Sequence, residues 1–561
     1  VHAHQNQVAA AANVIAVAGV PVAIHAFADG RDVAPQSAKT YFEAFEAMLP
    51  EDYGPELCRL LARVRPELDA YLVTERSVEE IAGLDLGICR RVFYNQEDFL
   101  ELHLNILRGV QARNKTPFFT ALVEYSKQPT GVFHAMPISR GKSITRSHWI
   151  QDMGAFYGPN IFLAETSATS GGLDSLLEPH GPIKEAQEMA SRAFGSKQTF
   201  FATNGTSTCN KIVVQAVIRP GDIVLVDRDC HKSHHYGMVL AGAEVVYLDS
   251  YPLNEYSMYG AVPLREIKHQ LLALKAAGKL DRVRMLLLTN CTFDGLVYNV
   301  ERVMEECLAI KPDLVFLWDE AWFAFARFSP TYRQRTGMRT ANNLRKRLRT
   351  DEHKAAYEAQ QKKLAGASDE EWLDARLIAP PTARIRVYAT QSTHKTLTSL
   401  RQGSMIHVND QDFKGEVEQS FHEAYMTHTS TSPNYQIIAS LDIGRRQVEL
   451  EGYELVQKQL DLAMALRERI TTHPLLNRFF SVLVAQDMIP DKYRPSGIDT
   501  YFDPQTGWRN LNMEEAWTSD NFVIDPSRIT LYIGKTGIDG DILALNTAGV
   551  VFGSPTPGFA E

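Results

Sequence analysis

The sequence predicts an α/β fold built on a mostly parallel sheet, and three observations predict it. From about residue 170 to 445, short apolar runs alternate with helix-length stretches. Each run is apolar almost throughout, as in a strand covered on both faces. The connections are long enough for the helical crossovers that parallel neighbours need. Strands are expected at Gln198–Ala202, Ile223–Val226, Glu244–Leu248, Arg284–Leu288, Leu314–Trp318 and Ile385–Ala389.

The flanking regions read differently. Residues 1–40 run helix, break, short strand and the polar turn Asp29-Gly30-Arg31-Asp32. The apolar stretch Val8–Phe27 is interrupted by Asn13, Gly19 and Pro21, and no Lys or Arg precedes it. It reads as a buried helix followed by the strand Pro21–Ala26, not as a membrane span or secretory signal. Residues 52–92 alternate amphipathic helix with a short strand, Ala70–Val73, and a charged helical connector covers roughly 95–128. Pro117 suits a helix start, where its missing N–H costs little. Residues 333–378 carry Arg-Lys-Arg, Lys-Lys and Asp-Glu-Glu clusters, with Ala and Leu at helical spacing. They read as a solvated helical arm, with a basic partner-binding site as the alternative. Residues 446–561 are expected to open with a helix at about 446–472 and continue as α+β.

Composition narrows the function classes. A chain of 561 residues has room for about three to four domains. The hydrophobic share of 45% and charged share of 22% are those of an ordinary globular protein. A net charge of −9 gives no basic footprint for nucleic acid, and does not repel a cationic substrate. The six cysteines are scattered without a CxxC pair, which reads as a reduced, cytoplasmic protein with no membrane partner.

Four features at strand ends carry chemistry. Asn204-Gly205-Thr206-Ser207-Thr208 follows the first strand and opens a helix (Cys209–Ile218). Free amides, helix dipole and hydroxyls there make an anion site, a plain N-cap being the alternative. Cys230-His231-Lys232-Ser233-His234-His235 follows the second strand. His231 is placed to stack on a flat ring, a surface histidine cluster or a zinc site being the alternatives. Asp319 ends the strand Leu314–Trp318. A carboxylate at the mouth of a sheet needs a cationic partner, which a protonated pyridine nitrogen supplies, unless it is a helix cap. Ser392-Thr393-His394-Lys395 follows the strand Ile385–Ala389. A desolvated lysine there can join an aldehyde, and Ser392 and His394 add phosphate donors; a surface lysine is the alternative. A phosphate, a flat ring, a basic ring nitrogen and an aldehyde are together the parts of pyridoxal 5'-phosphate. No resident metal is expected.

The wording around these residues resembles the bacterial Orn/Lys/Arg decarboxylases, pyridoxal-phosphate enzymes of fold type I with an aspartate-aminotransferase-like large domain. The resemblance covers about 50–530. It rests on Leu173–Glu185 (LDSLLEPHGPIKE), Thr203–Lys211 (TNGTSTCNK), Asp227–Ser233 (DRDCHKS), Thr289–Gly295 (TNCTFDG), Asp319–Trp322 (DEAW), Gln391–Lys395 (QSTHK), Ser404–Val408 (SMIHV) and Glu423–Tyr435 (EAYMTHTSTSPNY). It implies that Gly205, Thr206 and Ser207 hold the phosphate, with help from Ser392 and His394. His231 would stack on the pyridine, Asp319 would pair with its nitrogen, Lys395 would hold the cofactor, and Trp322 would line the substrate side. Lys395 or His231 would return a proton to Cα after CO2 leaves. The implied reaction turns lysine, ornithine or arginine into its amine, a step of amino-acid metabolism and polyamine biosynthesis. The Thr429–Ser432 loop resembles the segment this family lends across a dimer interface, so a homodimer or larger homo-oligomer is implied.

The implied organisation is a mutase-like fragment (1–40), a remnant of an N-terminal wing domain (41–115), a linker (116–169), the cofactor-binding large domain (170–445) and a truncated α+β small domain (446–561). His2-Ala3-His4-Gln5 and His25–Asp32 resemble the cofactor-independent phosphoglycerate mutases over some 38 residues, which would place His2, Arg31 and Asp32 at that family's substrate. The chain departs from the decarboxylase pattern at His134–Lys142, at the 333–378 arm, which reads as an addition, and after Thr530–Asp541. Its opening on Val1 and its tail Ala544–Glu561 read as marks of a fragment or fusion.

Overall fold

The computed structural model describes residues 48–49, 52–64, 69–84, 86–94, 97–129, 131–133, 136–165, 173–503, 507–508 and 510–537, and absences stated below concern these residues. The strand Pro21–Ala26, the mutase-like His2, Arg31 and Asp32, and the tail Ala544–Glu561 lie outside them, as does His134.

Seven strands form the central sheet: β1 Gln198–Ala202, β2 Ile223–Asp227, β3 Glu244–Leu248, β4 Val283–Thr289, β5 Val315–Asp319, β6 Arg386–Gln391 and β7 Ser404–Asp410. Their spatial order is β1-β7-β6-β5-β4-β2-β3. β7 runs antiparallel to both its neighbours, and the pairings β6–β5, β5–β4, β4–β2 and β2–β3 are parallel. Strands β2, β5, β6 and β7 are buried at every residue, so helices cover both faces, as the apolar runs of β2 and β5 require.

All six expected strands are present. The seventh, β7, was not expected as a strand, because Ser404, His407, Asn409 and Asp410 break its apolar pattern. Each of these polar groups is buried with a partner. His407 Nδ1 meets Thr199 Oγ1 at 2.8 Å, Asn409 Nδ2 donates to Asn342 Oδ1 at 2.9 Å, and Asp410 accepts from Arg386 Nε and Tyr388 Oη at 3.0 and 2.7 Å. The register sets Ser404 beside Ala202 and Met405 beside Gln391, so β7 brings its first residue to the edge where β1 and β6 end.

Four helices matter for the site: α1 Thr206–Val217, α2 Lys232–Ala241, α3 Gly337–Arg347 and α4 Tyr435–Thr472. α1 packs on α2 and against β6 and β7. α4 starts well before the expected 446, so one continuous helix crosses the expected boundary at 445–446. Its buried Arg445 bonds Asp442 and Glu449, and Asp442 also accepts the amides of Phe118 and Phe119. The helix Pro117–Lys127, with Pro117 at its first position, is thereby pinned to α4. Beyond α4, strand Phe522–Ile524 pairs with Leu296–Tyr298, tying the carboxyl region to the sheet domain.

The 333–348 part of the 333–378 segment differs from the solvated arm its charges suggest, whereas the helices Asp351–Leu364 and Asp369–Asp374, with the Lys-Lys and Asp-Glu-Glu clusters, are largely exposed as expected. α3 packs on β6 and β7, and Met338, Ala341, Leu344 and Leu348 are buried. Arg347 is bound by Glu301 and Glu305, and Arg376 by Glu305 and Glu306, so these arginines serve intramolecular pairs. The apolar positions at helical spacing, not the charged ones, decide where the segment sits. Leu344→Ala is therefore expected to cost about 2–5 kcal/mol in urea unfolding, whereas a solvated arm would show a change within about 0.5 kcal/mol.

Candidate functional site

The expected site residues meet at the carboxyl edge of the parallel strands, where ligands bind in open α/β sheets. Gly205 follows β1, His231 follows β2, Asp319 ends β5, and Ser392 follows β6.

Gly205 precedes α1 with φ of 80°, a conformation glycine adopts without strain, and open space lies where a Cβ would stand. Its C=O accepts from Thr208 N and Cys209 N, while the amides of Thr206 and Ser207 fall in the first turn, where no helical acceptor exists. Thr206 is buried, and its hydroxyl meets Ser392 Oγ at 2.5 Å and Ser404 Oγ at 3.2 Å. This trio of hydroxyls locks the α1 start to the ends of β6 and β7. Thr206 and Ser392, both expected as anion ligands, thus hold each other; Ser207 is exposed.

Asp319 lies 3% exposed at the end of a fully buried strand. Its Oδ2 meets His234 Nε2 at 2.7 Å and accepts from Asn210 Nδ2 at 3.1 Å; its Oδ1 accepts from Ala321 N at 3.0 Å. Burial alone would push this carboxyl up, but the hydrogen bond and charge of His234, with the Ala321 and Asn210 donors, hold it below its ordinary value. Asn210 also accepts from Thr390 Oγ1 at 2.6 Å and donates to Ser233 Oγ at 3.0 Å. Ser233 Oγ meets His231 Nδ1 at 2.8 Å, and His231 caps α2 through Ser233 N at 3.2 Å. A continuous network thus runs from Asp319 to His231. Burial, with His234 and Lys395 nearby, lowers the His231 pKa, against the pull of Asp319. Of the residues weighed as zinc ligands, His231 turns to Ser233 and His234 to Asp319, while His235 meets Tyr247 Oη at 3.2 Å and Cys230 Sγ at 3.6 Å.

Lys395 sits in the short helix Thr393–Thr396, its Nζ 4.4 Å from the centre of the Trp322 ring. Burial lowers its pKa, Asp319 raises it, and Arg528 lowers it. His394 Nδ1 donates to Gly403 O, 3.0 Å away; a carbonyl oxygen only accepts, so Nδ1 is the protonated nitrogen. Burial lowers the His394 pKa.

Several participants escaped the sequence reading. Asn210 lies four residues after Thr206, one helical turn on, which is the signal that places it on the same face of α1. His234 was visible only as a possible zinc ligand. Arg528 carries no local motif. Behind the site, Glu320 accepts from Gly337 N at 2.7 Å and from Gln391 Nε2 at 2.9 Å, while Gln391 Oε1 meets His407 Nε2 at 2.9 Å. Burial pushes Glu320 up to about 7.

Residues 116–366 and 375–551 match the family model of the Orn/Lys/Arg decarboxylase major domain, so all but 367–374 of the helical arm falls within it, and the match runs ten residues past Asp541. Residues 1–64 match the N-terminus of BPG-independent phosphoglycerate mutase, a longer stretch than the 1–40 expected. Lysine decarboxylase LdcA of Pseudomonas aeruginosa is 33% identical over 496 residues, covering 85% of this chain and 60% of that protein. The biodegradative arginine decarboxylase of Escherichia coli K12 is 30% identical over 462 residues, 76% of this chain and 54% of that protein. The solved lysine decarboxylase A from Pseudomonas aeruginosa superposes with a TM-score of 0.59 at 30% identity, covering 88% of this chain and 64% of that one. The chain therefore spans about three fifths of the length of these relatives.

His407 offers a test of the supporting layer. Burial lowers its pKa from 6.5 to about 3, so between those values the unfolded state binds the extra proton. Its contribution to stability is whole above about pH 6.5 and falls as pH drops towards 3. His407→Gln is expected to flatten the slope of stability against pH by about 1.4 kcal/mol per unit between those limits, read from urea midpoints.

Proposed function

The chain belongs to the Orn/Lys/Arg decarboxylase family, and from that premise we propose that it carries a pyridoxal-phosphate site that decarboxylates lysine, ornithine or arginine to the amine and CO2. The observation that carries this reading is the placement of Lys395 and the ionised, buried Asp319 at one sheet edge, each within electrostatic reach of the other.

The residues present suit the cofactor. The open space at Gly205 and the first-turn amides of α1 form a cradle for a phosphate. The Asp319 carboxylate suits a protonated ring nitrogen, and Lys395 offers an amine of lowered basicity. When bound, the cofactor supplies an electron sink for the pair left as CO2 departs.

The chain's own residues divide the remaining work. Gly205 lets the backbone approach the phosphate closely, Ser207 and the amides of Thr206 and Ser207 bind it, and Thr206 and Ser392 hold that loop in place through their hydroxyl pair. The second nitrogen of His394, when protonated beside the phosphate's charge, would add a donor on the phosphate side. His231, held by Ser233, would cover one face of the ring. Asp319, kept ionised by His234 and Asn210, keeps a proton on the ring nitrogen. Trp322 lines the substrate side and excludes water. Lys395 would hold the cofactor and move a proton at the substrate Cα, with His231 as the second candidate for that proton.

We extend the proposal to a homodimer or larger homo-oligomer in the cytoplasm, with the exposed Ser430–Ser432 loop facing the neighbouring site. The six unpaired cysteines agree with a reducing compartment. Among the described residues no helix is long and apolar enough to cross a membrane.

The experiment is absorbance spectroscopy and product analysis with a panel of basic amino acids. Bound pyridoxal phosphate is expected to give a visible band near ~420 nm that Lys395→Ala loses together with turnover. Asp319→Asn is expected to lower turnover roughly 10²–10³-fold. A keto acid in place of CO2 and amine would instead mean aminotransfer. Cofactor binding without turnover would mean a non-catalytic member of the fold.

A further inference from the structure

We infer that Arg528 is a positioning residue for Lys395, acting through Trp322 as a second buried cation on the same indole.

The geometry is specific. Arg528 is 5% exposed, and its guanidinium carbon lies 5.1 Å from the centre of the Trp322 ring, whose centre is also 4.4 Å from Lys395 Nζ. Its Nη1 donates to Phe293 O at 2.9 Å and its Nη2 to Trp322 O at 3.1 Å. These bonds hold the backbone of Trp322 and of the Thr289–Gly295 loop to one side chain. Gly295, at φ of 98°, leaves room for this: a Cβ there would stand 3.1 Å from Arg528 Cβ.

Among the described residues no carboxylate is hydrogen-bonded to this guanidinium, although its charge also reaches the carboxyl of Asp294. The nearest carboxylate is Asp525, with Oδ2 at 3.5 Å from Nε, and neither of these two atoms has a hydrogen-bond partner. Asp525 Oδ1 is already taken by Tyr332 Oη at 2.6 Å and Ser527 Oγ at 2.7 Å. A buried cation with a weakly engaged counter-ion keeps much of its field. Lys395 feels that field as one of four charged or titratable neighbours. Arg528 disfavours the ammonium and Asp319 favours it, while His231 and His394 both respond to the lysine charge. Both cations lie within reach of the one indole, which attracts each of them, while Arg528 opposes the protonation of Lys395. A lysine that must join a carbonyl needs that unprotonated amine.

The inference rests on the reading of Lys395 as the cofactor lysine, yet its test uses no cofactor. The cofactor-free chain of residues 1–561 is labelled with a trace of acetic anhydride across pH 6–11 (roughly spanning the lysine range), and acetylation of Lys395 is quantified by peptide mass spectrometry. Arg528→Gln is expected to raise the midpoint of Lys395 labelling by about 0.5–1 unit, while Arg528→Lys, which keeps the charge but loses the paired bonds to Phe293 and Trp322, holds it near the wild-type value. Equal shifts in both variants would reveal a merely structural role and overturn the inference, as would no shift in either. Should Arg528→Gln fail to fold by circular dichroism, Trp322→Leu reads the same contact from the other side. Loss of the indole must lower the midpoint, and an unchanged or raised one overturns the inference. Failure of the decarboxylase reading would show instead as a missing visible band with pyridoxal phosphate, whatever the labelling result.

Discussion

An ionised carboxylate at the end of a strand with no exposed residue survives only if its charge is met at once, and Asp319 is that carboxylate. His234, Asn210 and the Ala321 amide meet it within the chain. Each of those partners then fixes something else: His234 belongs to α2, Asn210 to α1, and Ala321 to the turn that leads to Trp322. Satisfying one buried charge therefore aligns two helices and a loop at the same edge of the sheet. His231 follows from α2, the Gly205 turn from α1, and the Lys395 side from the Trp322 ring.

The rest of the support consists of neutral hydrogen bonds in the same confined space. The Thr206, Ser392 and Ser404 hydroxyls join three separate segments where β1, β6 and β7 meet. The chain of Glu320, Gln391, His407 and Thr199 stiffens the strands from behind. Such buried networks add geometric definition when every member is satisfied. A site that must hold an amine, a carboxylate and an anion cradle in fixed relation has use for that rigidity.

Much of this was legible in the sequence because the relevant signals are local. Two of the six expected strands, Gln198–Ala202 and Glu244–Leu248, match residue for residue, and no end of the other four moves by more than two residues, since continuous apolar runs such as Leu314–Trp318 allow little else. Gly205, His231, Asp319 and Lys395 each stand within a few residues of a strand end, so chain order alone gathered them. What was missed depends on partners distant in the chain. β7 looked too polar for a strand because Thr199, Gln391 and Arg386 supply the bonds for its His407 and Asp410. The arm around Leu344 looked solvated because its charged residues outnumber its apolar stripe, and Glu301 and Glu305, which bind Arg347, lie in another helix. Arg528 reaches Trp322 only once the strand Phe522–Ile524 pairs with Leu296–Tyr298.

The central claim is that one lysine among many carries the cofactor because of where the sheet edge places it. Its most direct test is borohydride reduction of the full chain saturated with pyridoxal phosphate, followed by proteolysis and mass spectrometry of every lysine-containing peptide. The account predicts a stoichiometric pyridoxyl adduct on Lys395. An adduct concentrated on another lysine, or spread over surface lysines with Lys395 unmodified, would contradict it.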